Sequence, residues 1–158
     1  MILLKEITKE NFWDAVSLEV APHQSDFVTS NAVSIAQSKV QPECIPLAVC
    51  DDELMVGFVM YCIDEDDGEY WIYRMMIDKN YQSAGYGKKA MHLLLDKIKE
   101  DKTRNKVFLG VHKESVAAVN LYESCGFKFN GQVFGSEHIM RLDLIFREHL
   151  FCGKHEHS

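Results

Sequence analysis

An α+β fold built on one central sheet is what this sequence predicts, and three observations predict it. Short apolar or alternating stretches bounded by turn residues recur along the chain, as strands do. They are interrupted by stretches whose apolar residues follow the helical period. The length of 158 residues at 47% hydrophobic composition is enough for one domain with a core, and short for two. Read in order, the elements run β-α-α-β-β-β-α-β-α-β-β, a layered arrangement of helices on a sheet.

The opening strand is "ILLKEI". Thr8 then serves as N-cap for a helix through "KENFWDAVSLEV", where Phe12, Val16 and Leu18 or Val20 recur at helical spacing, and Pro22 ends it. A second helix spans "TSNAVSIAQSKV" and stops before Pro42. "IPLAVC" and "LMVGFVMYCI", joined by the turn-like "DDE", read as a hairpin, and "EYWIYRMMID" has the aromatic and apolar content of a central strand. The period then changes. Gly87, Ala90, Met91, Leu94 and Ile98 fall at i, i+3, i+4, i+7 and i+11, with Lys88, Lys89, His92, Asp96 and Lys97 on the other face of an amphipathic helix. "KVFLGV" follows as a strand and "ESVAAVNLYESC" as a helix closed by Gly126. "FKFNGQVF" and "EHIMRLDLIF" form a last antiparallel pair around Gly135-Ser136. The domain is expected to occupy residues 1–146, leaving 147–158 as a flexible tail.

Charge and composition narrow the function. A net charge of −7 and a pI near 5.4 argue against a nucleic-acid surface and favour a cationic partner. No apolar run approaches the roughly 18 residues of a membrane span, and the N-terminus turns polar after four residues, too early for a signal peptide; a cytoplasmic protein without a membrane partner is expected. The five cysteines Cys44, Cys50, Cys62, Cys125 and Cys152 lack the paired spacings of a zinc site or disulfide framework and suit a reducing compartment, mostly as core residues. No metal is expected.

The stretch "YQSAGYGKKAM", Tyr81 to Met91, carries the chemistry. A strand that ends in a glycine turn feeding a helix leaves backbone N–H groups unpaired and aimed at one spot, where the helix dipole adds positive charge. Such a spot suits an anion. Gly85 and Gly87 permit close approach of a phosphate, and Lys88 adds a point charge. Two phosphate motifs fail here: a Walker loop requires Ser or Thr after the lysine, where Lys89 stands, and the dinucleotide fingerprint requires a third glycine at Ala90.

A third pattern fits. "Gln82-Ser83-Ala84-Gly85-Tyr86-Gly87" after a strand resembles the Q/R-x-x-G-x-G/A loop of the GNAT superfamily of acyl-CoA-dependent N-acyltransferases. "AAVNLYESCGF", Ala117 to Phe127, resembles the family's A-x-x-L-Y-x-x-x-G-F segment, in the expected order and after the expected strand. The resemblance spans Leu3 to about Leu144 and implies a GNAT-like single domain, with a mixed, mostly antiparallel sheet flanked by helices. Within the superfamily, "YWIYRMMIDKNYQSAGYGKKAM", "FKFNG" and "HQSDFV" look like bacterial spermine/spermidine (diamine) N-acetyltransferases. That likeness makes acetyl-CoA the expected donor and a polyamine the expected acceptor, by direct attack without an acetylated enzyme.

Carried over by resemblance, the backbone of Gln82, Ser83, Ala84, Gly85, Tyr86 and Gly87, with Lys88, would hold the pyrophosphate. The edge of Met75, Met76 and Ile77 would pair with pantetheine as a pseudo-strand. Ser115 stands where the family often has Asn, seven residues before the motif tyrosine, and would offer a hydroxyl to the cofactor. Tyr122 would act as general acid on the leaving thiolate; on spacing alone, with Ala118, Leu121 and Cys125 on one helical face, it reads equally as a core aromatic. The acceptor ammonium must lose a proton before it attacks. Glu69 and Tyr73, flanking the start of the central strand, are both candidates for the base, with Arg74 on the opposite face. Gln24 and Phe27 would line the acceptor pocket.

The run Asp64, Glu65, Asp66, Asp67 and Glu69 is a solvated hairpin tip in the bland reading and a collector of polycations in the sharper one. Cys152, His155 and His157 in the tail read as a flexible end rather than a metal site. Other acceptors, such as a protein N-terminus or an aminoglycoside, and a CoA-binding regulatory module without turnover, are the alternative functions. The late antiparallel strands present an edge on which a homodimer could form.

Overall fold

The computed structural model describes residues 1–146. The expected tail, with Cys152, His155 and His157, lies outside the described residues. Seven strands form one sheet, β1 (Ile2–Glu6), β2 (Ile45–Asp51), β3 (Leu54–Ile63), β4 (Tyr70–Ile77), β5 (Lys106–Val111), β6 (Lys128–Phe134) and β7 (Glu137–Asp143), in the spatial order β1-β2-β3-β4-β5-β7-β6. All neighbours are antiparallel except β4 and β5, the pair joined by the long helix α3 (Tyr86–Lys99), as parallel strands require a crossover. The remaining helices are α1 (Phe12–Ser17), α2 (Asn31–Val40) and α4 (Val116–Ser124). Among the described residues no helix is long and apolar enough to cross a membrane.

Alternation along β3 divides the core. Val59 and Tyr61 point into a cluster with Ala90, Met91, Leu94 and Ile98 of α3 and with Leu109, Tyr122 and Phe127. Phe58, Met60 and Cys62 point the other way, into a second cluster with Cys44 and Met76, covered by Leu18, Val20, Val28 and Ile35. The sheet is therefore a partition between two hydrophobic layers. Of the expected apolar stripe of α3, Ala90, Met91, Leu94 and Ile98 are buried, joined by Leu95, and Gly87 is half-buried. Cys44, Cys50 and Cys62 are buried core residues, and Cys125 is half-buried.

The first helix differs from expectation at both ends. Thr8 is not its cap: the helix starts at Phe12 after Asn11, while Thr8 and Asn11 exchange hydrogen bonds between backbone N–H and side chain. Nor does Pro22 end it. Ser17 is the last helical residue, because Glu19 is drawn into a tertiary contact: its N–H donates to the Asp78 carboxylate at 2.9 Å and its carbonyl accepts from the Lys79 N–H at 2.7 Å. Pro22 instead opens a 3-10 segment, Pro22–Phe27, a suitable place for a residue with fixed φ and no N–H.

Candidate active site

The site begins at a defect in the sheet. Along β3 and β4, Met60 pairs with Arg74 and Tyr61 with Ile72, so Tyr73 is an extra, bulged residue. At the same level the parallel ladder between β4 and β5 stops: it comprises Tyr70↔Val107, Trp71↔Phe108 and Ile72↔Leu109. Beyond it Met75, Met76 and Ile77 remain paired to β3 on one side. Their other side faces a gap in the sheet rather than a strand, a place where an extended chain bearing amides can add its own hydrogen bonds.

The glycine turn closes one end of this gap. Asp78, buried, fixes the exit of β4 by accepting from the N–H groups of Glu19 and Asn80. The Gln82 amide donates to the Ile77 carbonyl at 3.0 Å and to the Gln24 side chain at 2.8 Å, folding the turn back onto its strand. Ser83 (φ 64°) and Gly85 (φ 82°) adopt left-handed conformations, and α3 begins at Tyr86 without a side-chain cap, so its first N–H groups are left for an outside partner. The two glycines have different reasons. A Cβ at Gly85 would meet nothing within 4 Å, so the turn is open in front and only its φ calls for glycine; a Cβ at Gly87 would press on Leu121 at 3.1 Å, so that glycine lets α3 approach α4.

Helix α4 ends in a motif that explains its tyrosine. The Phe127 N–H donates to the Tyr122 carbonyl and the Gly126 N–H to the Glu123 carbonyl, both at 3.0 Å, with Gly126 at φ 100°. This is the two-bond Schellman closure with its hydrophobic contact, here the edge-to-face pair of Tyr122 and Phe127 rings at 6.1 Å. Tyr122 is thereby fixed in position, largely buried yet lining the gap. Burial, with smaller contributions from Cys125 and Glu137, pushes its phenol up to about 12, so it is a proton donor at neutral pH.

Gap, turn and helix end surround a cleft of about 630 Å³. Met75, Met76, Ile77, Gln82, Ser83, Gly85, Tyr86, Gly87, Lys88 and Ser115 come together in its wall with Tyr122, and Gln24, Phe27 and Tyr73 line it too. Two expected residues do not. Ala84 lines a separate groove with Met1 and Asp51. Glu69 is outside the cleft wall, with Oε2 buried and unpartnered among the described residues. Tyr73 donates to Asp64 at 2.6 Å, and burial together with that bond raises its phenol far above the ordinary range, which makes it a poor proton acceptor. Arg74, expected on the opposite face, lines the cleft as well, because the bulge at Tyr73 breaks the alternation; its guanidinium donates to Ser34, Gln37 and the Tyr73 carbonyl. The acidic run is partly internal: Asp64 holds Tyr73, and Asp67 accepts from the Trp71 indole and the Glu69 N–H. Among the described residues no cluster of three metal-binding side chains is present.

Four ionisable residues in the wall escape a sequence reading: His23, His112, Glu114 and Glu137. Their only shared sequence signal is position at the ends of elements. The pairing of β5 with β7 brings two of them together, with Val111 opposite His138 and thus His112 beside Glu137.

Comparison with known proteins bears on this cleft. The pattern of the acetyltransferase (GNAT) family matches residues 8–127. The spermine/spermidine N(1)-acetyltransferase of Bacillus subtilis (strain 168) is 30% identical over 150 residues, covering 90% of this chain and 99% of that protein. In fold, the chain is similar to a Vibrio cholerae spermidine N-acetyltransferase solved with CoA and spermine (TM-score 0.69, 18% identity, 89% of this chain and 92% of that one). It is also similar to an aminoglycoside acetyltransferase solved with coenzyme A (TM-score 0.75, 15% identity, 90% and 95%). At these identities the two structures speak for the fold alone.

Proposed function

The chain belongs to the GNAT acetyltransferase family and is an acetyl-CoA-dependent N-acetyltransferase; on that premise we propose that it acetylates a primary amine of a polyamine such as spermidine or spermine, with Tyr122 as general acid. The observation that carries the proposal is the opening of the sheet where the Tyr73 bulge and the end of the β4–β5 ladder coincide, with the left-handed turn at one end and Tyr122 in the wall.

The residues fit the donor group. The uncapped N-terminus of α3 and the turn Gln82 to Gly87 offer N–H groups toward an open front, with Lys88 in the same wall, as a pyrophosphate requires. Met75 to Ile77 face the gap as partners for the pantetheine amides, and Ser115, whose side chain makes no capping bond at α4, is available to the same arm. Bound acetyl-CoA supplies an activated acetyl thioester. Tyr122 would steady the departing sulfur with a hydrogen bond. Because a thiol is more acidic than this phenol, the proton passes only as the second proton on the attacking nitrogen replaces it. The acceptor end carries Glu114 and Glu137 in a protein of net charge −7, and these suit a ligand with several ammonium groups.

The test is release of thiol from acetyl-CoA over a panel of polyamines, aminoglycosides and N-terminal peptides, run on the unmodified protein and on Tyr122→Phe. Polyamines should be the best substrates. The variant keeps its ring against Phe127, so CoA affinity and melting temperature should hold while kcat falls about 10²–10⁴-fold. Preference for another amine class sinks the acceptor assignment, and an unchanged kcat in the variant sinks the role of Tyr122.

A further inference from the structure

The proton acceptor is the part of the reaction that neither Glu69 nor Tyr73 supplies, the one being outside the cleft wall and the other a hydrogen-bond donor to Asp64. The cleft does contain another pair. His112, at the end of β5, and Glu137, the first residue of β7, approach to 3.9 Å between Nε2 and Oε1, and both line the wall that includes Tyr122. His112 is 19% exposed and held from its other side by the Phe27 ring at 5.2 Å; Glu137 is 50% exposed and reaches solvent. Their meeting depends on a missing side chain. A Cβ built on Gly110 would run into Glu137 Oε2 and lie 3.2 Å from its Cδ, so the carboxylate occupies the place over β5 that a side chain at 110 would fill.

The geometry points to His112 and Glu137 as the acceptor-side proton relay: the His112 imidazole takes the proton of the incoming ammonium, and Glu137 binds that ammonium and then steadies the imidazolium. Gly110 is the positioning residue that admits the carboxylate. The inference rests on the amine-acetylation reading of the cleft. The step balances as follows: the ammonium loses one proton to His112, the freed electron pair attacks the thioester carbonyl carbon, the C–N bond forms and the C–S bond breaks. The sulfur takes the Tyr122 proton, which the nitrogen's second proton replaces, and His112 returns its proton to solvent. The other ionisable groups in the wall are His23 from the Pro22–Phe27 segment, Tyr73 and Arg74 of β4, Tyr81 before the turn, Tyr86 and Lys88 of α3, and Glu114 after β5.

The experiment uses the full chain with substitutions His112→Gln, Glu137→Gln and Gly110→Ala, measuring kinetics against pH with the best amine of the panel and CoA affinity by calorimetry. His112→Gln should lower kcat/KM for the amine about 10²–10⁴-fold and remove the acid limb of its pH profile. Glu137→Gln should raise KM for the amine about tenfold. Gly110→Ala should act like Glu137→Gln by displacing the carboxylate, and the double variant Gly110→Ala/Glu137→Gln should lose little more than either alone. CoA affinity should stay the same in all of them, which shows that each is folded. Wild-type kcat/KM and an intact acid limb in His112→Gln overturn the relay, as does full additivity in the double variant. If the unmodified protein prefers an amine other than a polyamine, the acceptor assignment falls and the relay is judged on that amine; turnover of no amine overturns both.

Discussion

Glycine 85 and glycine 87 look interchangeable in the sequence, and the structure gives them separate duties that a pair of substitutions can tell apart. At Gly85 the backbone is left-handed and the space in front is open, so Gly85→Val would carry a conformational cost of about 1–2 kcal/mol without a collision. Its larger effect should be on the ligand, because the turn can no longer present its N–H groups in the same arrangement; calorimetry should show CoA binding at least about tenfold weaker. Gly87→Val should instead press on Leu121 and register first as lost stability. Residue positions at the cleft were legible where a local motif carried them: Gln82, Ser83, Gly85, Tyr86, Gly87 and Tyr122 line it, and Ala84 does not. His112 and Glu137 were not, since 25 positions separate them and only the β5–β7 register makes them neighbours. Glu69 was misplaced by the same limit, for closeness to Tyr73 along the strand says nothing about which side of the bulge faces the gap.

Among the elements, α4 shows how a helix end can set the position of a reactive group. Gly126 permits the left-handed turn that satisfies the last carbonyls, and Tyr122 is the residue whose carbonyl receives the Phe127 bond. Gly126→Ala should cost about 1–2 kcal/mol through the unfavourable φ, with added pressure on Leu142 at 3.1 Å. Denaturant unfolding should show that loss. Kinetics should show kcat falling more than CoA affinity, because the displaced group is the tyrosine rather than the phosphate turn. All seven strands and four helices were readable from period and turn residues. What failed was the extent of α1, where apolar spacing continued past Ser17 but the bonds from Glu19 to Asp78 and Lys79 removed the backbone from the helix. A local pattern cannot report a competitor about 60 residues away. The bulge at Tyr73 was equally hidden, since an inserted residue is defined only by its partner strand.

For the whole molecule, burial of several acidic protons sets the pH range of stability. Burial first, then neighbouring groups, raises Cys62, Tyr70 and Tyr122 each to about 12, and Cys44, Cys50 and Tyr73 are raised as well. The folded state thus holds these protons more tightly than the unfolded state. Where the unfolded chain has released them and the folded one has not, stability declines as pH rises. The contribution is intact below about pH 8.5, the ordinary cysteine value, and should decline above it, more steeply once unfolded tyrosines ionise near pH 10. Thermal melts from pH 7 to 11 should show a plateau followed by this two-stage fall. A melting temperature that stays level through pH 11 would contradict the buried, protonated state of these side chains.

The sheet's role as a partition has a consequence for how such an enzyme can change over evolutionary time. Packing on the α3–α4 side and packing on the α1–α2 side are separate clusters, and they share one opening, where the strands part. Mutations that reshape α2 load one cluster and leave the other undisturbed, whereas the Pro22–Phe27 segment touches the turn through Gln24 and the end of β5 through Phe27. A lineage can therefore drift toward a new amine by revising one layer of the molecule, while the layer that holds the turn and the tyrosine stays under its own, independent selection.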